Sequence, residues 1–268
     1  MMKPTVFMFI SLLLCSNHFV WSDFVPQEKI DSQQIVQKCI KAHGGQAKFQ
    51  NIQDIYAKLL VKSHTKDGIF ESRLYEYFRK PDKLRIDINP KTGGNRTSIG
   101  WNGTSVYRLI KNRVEKSNDE KLVNQIQESL RFIRLMILTN LLRDSTLKYE
   151  KFIAKKNVHI ISQTDSHGEK IWLWISGKNY VLLGARFYFR GSKTPFIVMF
   201  VKHRKFGGLL LPRYTKLYRK NSLVMEAWLS LAKSNVLKNR NDFFSDLKQK
   251  AKLKSTRSHR SYRYRTHR

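Results

Sequence analysis

Apolar and polar side chains alternate through much of the segment from residue 56 to residue 110. Leu84, Ile86 and Ile88 are separated by the charged residues Arg85 and Asp87, which is the period-two pattern of a strand with one apolar face. Turn signals divide the segment at Asp67-Gly68, Lys80-Pro81-Asp82, Gly93-Gly94-Asn95 and Asn102-Gly103. We therefore predict an antiparallel meander of strands at residues 56–63, 69–79, 84–88, 97–101 and 104–110.

The period of the pattern changes twice, and both changes predict helices. Residues 31–43 form a short helical pattern that starts at a possible Asp31 or Ser32 cap and ends at Gly44-Gly45. Between residues 119 and 142 the apolar side chains recur every three or four positions, which is helical spacing; they are Leu122, Ile126, Leu130, Ile133, Ile137 and Leu141. Arg131 and Arg134 argue against a membrane span in this second helix.

Strand patterns return after residue 148, and they predict strands at residues 158–162, 171–175, 181–189, 196–202, 214–219 and 223–231. The segments 171–175 and 196–201 are apolar on both faces, so we expect both sides of the sheet to be covered there. Asn235-Val236-Leu237 to Phe243-Phe244 follow as a late segment.

These elements predict a mainly β (α+β) fold, an incomplete antiparallel β-barrel or strongly curved sheet wrapped around helices. The helix after Asp119 is the candidate lid or plug, through Ile126, Leu130, Ile133 and Ile137. An apolar hollow in such a fold hosts hydrophobic ligands. The candidate lining residues are Leu59, Val61, Phe70, Leu74, Phe78, Leu84, Ile86 and Ile88. The alternative, that the helix fills the hollow completely, stays open.

The first 22 residues predict a secretory signal peptide. They combine Lys3, an apolar run of 11 residues and the cleavage site Val20-Trp21-Ser22. An uncleaved anchor or a buried strand is the alternative, although the run is shorter than the ~20 apolar residues of a membrane span. We do not expect lipidation of Cys15, because the preceding Leu14 is large. We expect a domain at residues 23–247 and a disordered polybasic tail at residues 248–268.

After cleavage Cys39 is the one remaining cysteine, so no intramolecular disulfide is available. It lies on the first predicted helix, where we expect a buried small hydrophobe rather than a reactive thiol.

The chain carries a net charge of +31. Lys3 and the nine cations of residues 248–268 account for ten of these charges, so about +21 remains on the body. A body this basic attracts anionic partners, namely phospholipid headgroups, lipopolysaccharide or nucleic acid. The tail interleaves Tyr262 and Tyr264 with arginines, a composition that could stack on bases but is also that of a disordered polybasic arm. We do not expect specific nucleic-acid recognition.

Motifs of catalysis do not occur in the sequence. The eight histidines are scattered, and there is no H-E-x-x-H, G-x-S-x-G, C-x-x-C pair or phosphate loop. Asp165-Ser166-His167 contains the residue types of a catalytic triad, but consecutive residues do not converge as a triad does; we interpret them as a hairpin turn with Gly168. We therefore expect no enzymatic activity, no cofactor and no metal site.

Two segments carry a family resemblance. Arg79-Lys80-Pro81-Asp82-Lys83-Leu84-Arg85, followed by Trp101-Asn102-Gly103-Thr104-Ser105-Val106-Tyr107, resembles the K-R-P … D-G-K region of the periplasmic lipoprotein-localisation carriers, the LolA/LolB-like family. The helix running into His43-Gly44-Gly45, the mid-chain helix and the late segment at residues 235–244 are similar to the layout of that family, so the resemblance extends over residues 31–247.

The resemblance implies a half-barrel that carries acylated lipoproteins in its hollow without covalent chemistry. It also implies a lid held closed by an arginine immediately before the motif proline. Lys80 occupies that position here and Arg79 precedes it, so these two residues are the latch candidates.

The resulting hypothesis is a monomeric periplasmic carrier that binds the acyl part of a lipid or lipoprotein and contacts anionic membrane surfaces through its basic exterior and tail. The extracellular space is the alternative location. The alternative functions are a polyanion-binding interaction protein with a filled core, whose partner is lipopolysaccharide or nucleic acid, and a periplasmic envelope-stress sensor on the same scaffold.

Overall fold

The computed structural model describes residues 31–91, 96–110, 113–136, 138, 146–164, 168, 170–188 and 192–236. The predicted signal peptide, Cys15, the 93–95 loop, Ile137, Leu141, the Asp165-Ser166-His167 triplet and the tail at 248–268 lie outside the described residues. The late segment lies outside them from Leu237 onward. The signal, the tail and the domain limits therefore stay predictions.

The described chain forms three α-helices and thirteen strands. The helices are α1 (Ser32–Ala42), α2 (Gln46–Gln50) and α3 (Glu120–Met136). The strands are β1 (Asp54–Thr65), β2 (Gly68–Arg79), β3 (Lys83–Pro90), β4 (Thr97–Trp101), β5 (Val106–Ile110), β6 (Arg113–Ser117), β7 (Thr146–Ile153), β8 (Val158–Thr164), β9 (Lys170–Ser176), β10 (Leu182–Tyr188), β11 (Pro195–Phe206), β12 (Leu209–Arg219) and β13 (Ser222–Ser234).

All thirteen strands belong to one antiparallel sheet that is not closed, which confirms the predicted open, curved β architecture. The strand order is β6-β5-β4-β3-β2-β1-β13-β12-β11-β10-β9-β8-β7. Consecutive strands pair with each other, except β6 and β7, and β13 returns to pair with β1. Because β6 and β7 are the two edges, the connection between them, which contains α3, joins opposite edges of the sheet.

Most predicted elements are present, with longer strands than the patterns indicated. The first hairpin turn is shifted by one residue, since Gly68 already pairs with Thr65. The predicted helix at 119–142 ends at Met136 in the structure. The sequence patterns missed α2, β6 and β7. The two missed strands are the sheet edges, where charged residues interrupt the alternation, as is common for edge strands.

The end of α1 is tied to the sheet through His43. The Leu182 amide donates to Nε2 of His43 at 3.0 Å, so Nδ1 carries the proton and donates to the Leu210 carbonyl at 2.6 Å. The Leu210 amide also donates to the His43 carbonyl at 2.9 Å. Gly44 follows with φ +129°, and a Cβ there would lie 2.9 Å from the Gly208 carbonyl oxygen. Glycine therefore permits the close approach of α1 to the turn between β11 and β12.

The charged side of β3 is buried, whereas the alternating pattern predicted that this side is exposed to solvent. Arg85 is 4% exposed and Asp87 1%. Nε and Nη2 of Arg85 donate to the two carboxylate oxygens of Asp87 at 2.9 Å each, and Arg96 donates to Asp87 at 3.1 Å. Burial alone would raise the pKa of Asp87, but these bonds overcome it and lower that pKa. The two charges are buried because they form a bidentate pair.

Cover on both faces of β9 and β11 is only partial. Leu173 in β9 and Val198 in β11 are fully buried on one face. On the other face Trp172 and Trp174 are half-buried, and Val201 is 49% exposed. Lys170 and Arg186 lie over the Trp172 ring, 5.1 and 5.4 Å from its centroid. On the face that carries Trp172, long basic side chains thus take the place of the covering element that the sequence predicted.

Candidate functional site: the hollow between α3 and the inner face

Three cross-strand rows build the central part of one face of the sheet, here called the inner face. Strands β1, β2 and β3 place their residues directly opposite one another in each row. The rows are Ile55–Phe78–Leu84, Ala57–Glu76–Ile86 and Leu59–Leu74–Ile88. Eight of these nine side chains are apolar, and Glu76 lies in the middle row.

Helix α3 packs its apolar side toward the inner face. Leu122, Ile126, Leu130 and Ile133 are 2–5% exposed, which confirms the helical spacing that predicted one buried side. Phe132 and Ile133 border a cavity that the inner face also lines. We call the space between α3 and the inner face the hollow.

The hollow contains a cavity of about 40 Å³. Its walls come from β1, β2, α3, β12 and β13, and apart from Glu76 and Thr215 they are apolar; they comprise Ile55, Ala57, Leu59, Glu76, Phe78, Phe132, Ile133, Leu211, Pro212, Thr215, Ala227, Leu229 and Ala232. A single buried water needs roughly 10–15 Å³ by the same measure. A cavity of this size has room for a few waters and is too small for a long acyl chain.

The candidate lining residues divide into three groups. Leu59 and Phe78 lie in the cavity wall, as does Ile133 of the lid helix. Val61, Leu84 and Ile86 are buried, and Leu74 and Ile88 are half-buried, but they lie outside the wall. Phe70, near the start of β2, is 51% exposed. Contact of any of these residues with lipid stays a prediction.

Glu76 is the one ionisable residue among the described residues of the cavity wall. Ala57 and Ile86 flank it on the neighbouring strands, and no hydrogen bond to its carboxyl group occurs among the described residues. Burial raises the pKa of Glu76 to about 7, because an apolar surrounding disfavours the charged form. The sequence pattern predicts no role for Glu76; its one signal is a polar residue at an inward position of β2.

Two arginines of α3 join the helix to the sheet. Nη1 of Arg131 donates to the Tyr188 carbonyl in β10 at 3.0 Å, and Nη2 of Arg134 donates to the Pro81 carbonyl at 2.9 Å. The two carbonyls belong to different parts of the sheet, so these bonds fasten α3 across the hollow. In the sequence pattern these two arginines indicate only that the helix does not span a membrane.

The latch candidate Lys80 lies beside one of these bonds. Its Nζ donates to the carbonyls of Phe49 at 3.0 Å and Gln50 at 3.3 Å, in the last turn of α2. The next residue, Pro81, accepts from Arg134 of α3. The turn between β2 and β3 therefore contacts both helices. A latch role for Arg79 and Lys80 stays a prediction.

The opposite, outer face of the sheet carries aromatic and basic side chains together. Tyr214 stacks on Trp228 with ring centroids 4.7 Å apart, and Lys62 and Lys216 lie over these rings at 5.6 Å each. A similar group surrounds Trp172. We call this set the outer basic–aromatic face, and it comprises Lys62, Lys170, Trp172, Arg186, Tyr214, Lys216 and Trp228.

Other chemistry has little support in the described part of the chain. No helix there is both long and apolar enough to cross a membrane, and no group of three or more histidine, cysteine, aspartate or glutamate side chains within those ranges is placed to hold a metal ion. Cys39 is fully buried, and burial raises its pKa to about 12. This thiol is therefore protonated at neutral pH, as a small core residue is.

Comparisons with known proteins agree with the architecture. No protein-family model matches the chain, and no curated protein matches it. Among solved structures, a DUF1329 family protein from Desulfovibrio piger is similar with a TM-score of 0.52 and 12% identity, over 82% of this chain and 98% of that one. A LolA superfamily protein from Nitrosomonas europaea is similar with a TM-score of 0.52 and 11% identity, over 77% of this chain and 94% of that one. The structural neighbours of this chain are thus DUF1329 and LolA superfamily proteins, and the resemblance around Lys80-Pro81 is confirmed for the fold.

Proposed function

We propose that this protein is a non-catalytic periplasmic carrier that binds the acyl part of a lipid or lipoprotein in the hollow. The observation that carries the proposal is the apolar cavity between α3 and the inner face, walled by five elements. A concave apolar site with few polar groups is the usual form of a hydrophobic ligand site. The LolA superfamily neighbour supports the scaffold, and the signal predicted at residues 1–22 supports the location.

Binding requires α3 to move. The cavity of about 40 Å³ has room for about three waters, so an acyl chain takes the space that Phe132 and Ile133 occupy in the closed form. The bonds from Arg131 and Arg134 to Tyr188 and Pro81 oppose this movement. The carrier then has a closed, empty state and an open state, and ligand binds the open one.

The membrane partner in this proposal is an anionic lipid surface. The body of the chain is basic, and the outer basic–aromatic face places lysines and arginines over aromatic rings. Basic side chains near anionic headgroups add about 1 kcal/mol each, while tryptophan and tyrosine suit the interface between water and lipid. The sheet therefore has one face for the acyl chain and another for headgroups.

The experiment is binding of a fluorescent fatty-acyl probe to protein purified without detergent, together with mass spectrometry of extracted lipid. The test variant is Leu59→Phe, which adds volume to the cavity wall, and the matched control is Leu60→Phe. Leu60 faces outward, since it pairs with Trp228 of the outer face. We expect Leu59→Phe to weaken probe binding at least about fivefold, because overpacking a filled site costs about 1–3 kcal/mol, and Leu60→Phe to bind as wild type.

One observation favours a second candidate, a polyanion-binding protein whose hollow is only core. This observation is the small size of the cavity beside a strongly basic body. That function predicts no extracted lipid, no probe binding and strong, salt-sensitive binding to lipopolysaccharide or nucleic acid. Equal probe binding by folded Leu59→Phe and Leu60→Phe proteins would place the probe outside the hollow and refute the carrier proposal.

A further inference from the structure

A hollow that binds only hydrocarbon needs no ionisable side chain, yet Glu76 lies in its wall. Its side chain borders a cavity whose other described wall residues, apart from Thr215, are apolar. Its cross-strand neighbours Ala57 and Ile86 offer it no polar atom on their side chains. A carboxyl group in such a place costs free energy unless it is hydrogen-bonded, so its presence indicates a partner that enters the hollow.

The geometry limits what that partner is. Glu76 is the ninth of the 12 residues of β2, and the cavity wall it belongs to also includes Phe132 and Ile133 of α3. A ligand that displaces these two side chains therefore meets the Glu76 side chain inside the hollow. An ionised carboxylate only accepts hydrogen bonds, so the group that suits it is an amine, an amide N–H or a hydroxyl.

We propose that Glu76 selects the ligand, favouring a hydrocarbon chain whose polar end bears a hydrogen-bond donor or a positive charge over a chain that ends in a carboxylate. The inference rests on the proposed carrier function and names the ligand class for the same site. Two carboxylates in one apolar site repel each other strongly. An ammonium or amide group instead forms a charge-assisted hydrogen bond there.

Electrostatics inside the wall support this selection. Among the described wall residues Glu76 is the one titratable side chain, and Thr215 is the one other polar residue. Burial raises the pKa of Glu76 to about 7, so the group is largely ionised at pH 8. A hydrogen-bond donor on the ligand would replace the water contacts that the Glu76 carboxylate loses on burial, and would so stabilise the ionised form of Glu76.

The test uses three probes with equal chains, decylamine, decanol and decanoate, each kept below its micelle concentration at pH 8. Calorimetry gives the affinity of each for wild type, Glu76→Gln and Glu76→Leu. The matched control is Glu115→Gln, which removes the same charge from an exposed residue of β6. Because the basic body attracts decanoate non-specifically, each probe is compared between proteins and not with the other probes.

We expect Glu76→Gln to weaken decylamine binding about tenfold or more and to strengthen decanoate binding. Glu76→Leu should give the same reversal, decanol should change less, and Glu115→Gln should match wild type. In case neither Glu76 variant folds, the ¹³C shift of the Glu76 carboxyl in wild type is followed on adding decylamine, and it should move more than with decanoate.

Unchanged affinities in folded Glu76 variants, or a Glu76 carboxyl shift that decylamine leaves unmoved, would overturn this inference. The carrier proposal survives that result if the probes bind wild type and Leu59→Phe blocks them. Failure of all three probes to bind wild type overturns both proposals.

Discussion

Release of α3 from the sheet should speed entry into the hollow, and Arg134→Met tests this directly. The substitution removes the 2.9 Å bond from Nη2 of Arg134 to the Pro81 carbonyl and keeps an unbranched apolar stem for packing. A charge-assisted hydrogen bond contributes about 1.5–3 kcal/mol when buried. This bond is exposed to solvent, so a value of about 1 kcal/mol is appropriate.

A change of about 1 kcal/mol alters the ratio of closed to open forms about fivefold. If ligand binds only the open form, which is the minor one, the association rate of an acyl probe rises by the same factor. Arg131→Met removes the bond to the Tyr188 carbonyl and should have a similar effect. The double variant multiplies the two effects if the bonds act independently.

The assay is stopped-flow fluorescence of a fatty-acyl probe with the protein in excess, with thermal unfolding as a check on the fold. Arg73→Met is the matched control, because it removes the same charge from an exposed residue of β2 on the outer face. An unchanged rate in folded Arg134→Met and Arg131→Met proteins would refute α3 as the gate. An equal increase in Arg73→Met would assign the effect to net charge.

Three further predictions concern stability and the membrane. Burial lowers the pKa of His43 from 6.5 to about 4. The contribution of neutral His43 to the free energy of unfolding is therefore complete above pH 6.5 and is lost as the pH falls toward 4, by at most about 3 kcal/mol. Urea unfolding at several pH values should show this decrease in wild type and a smaller decrease in His43→Gln. Lys80→Met should lower the free energy of unfolding by about 1 kcal/mol, since it removes both bonds to the end of α2; an unfolding midpoint equal to wild type would contradict this anchoring role. Deletion of residues 248–268, with nine cations, should leave the unfolding transition intact and weaken binding to anionic vesicles at low salt, whereas loss of the transition would make the tail structural.

The sequence alone determined the local elements and the class of fold. Alternation around Leu84 and Ile86 identified a strand with an apolar face, and the spacing of Ile126, Leu130 and Ile133 identified the buried side of α3. These patterns are readable because strand and helix periods are set by backbone geometry, which is local. Turn residues at Lys80-Pro81 and Asn102-Gly103 separated the strands for the same reason.

Only the tertiary structure decided which side chains meet, because such contacts join residues far apart in the chain. The charged residues Arg85 and Asp87 suggested a solvent-facing side, yet they are buried as an ion pair, since each charge compensates the other. The bond from Arg134 to Pro81 spans 53 positions in sequence, beyond the reach of any local pattern. The volume of the hollow depends on how closely α3 packs on the sheet. In the sequence Glu76 is an ordinary polar strand residue. Its apolar surrounding arises in the folded sheet, where β1 pairs with β13 and side chains of both strands line one cavity with Phe132 and Ile133 of α3.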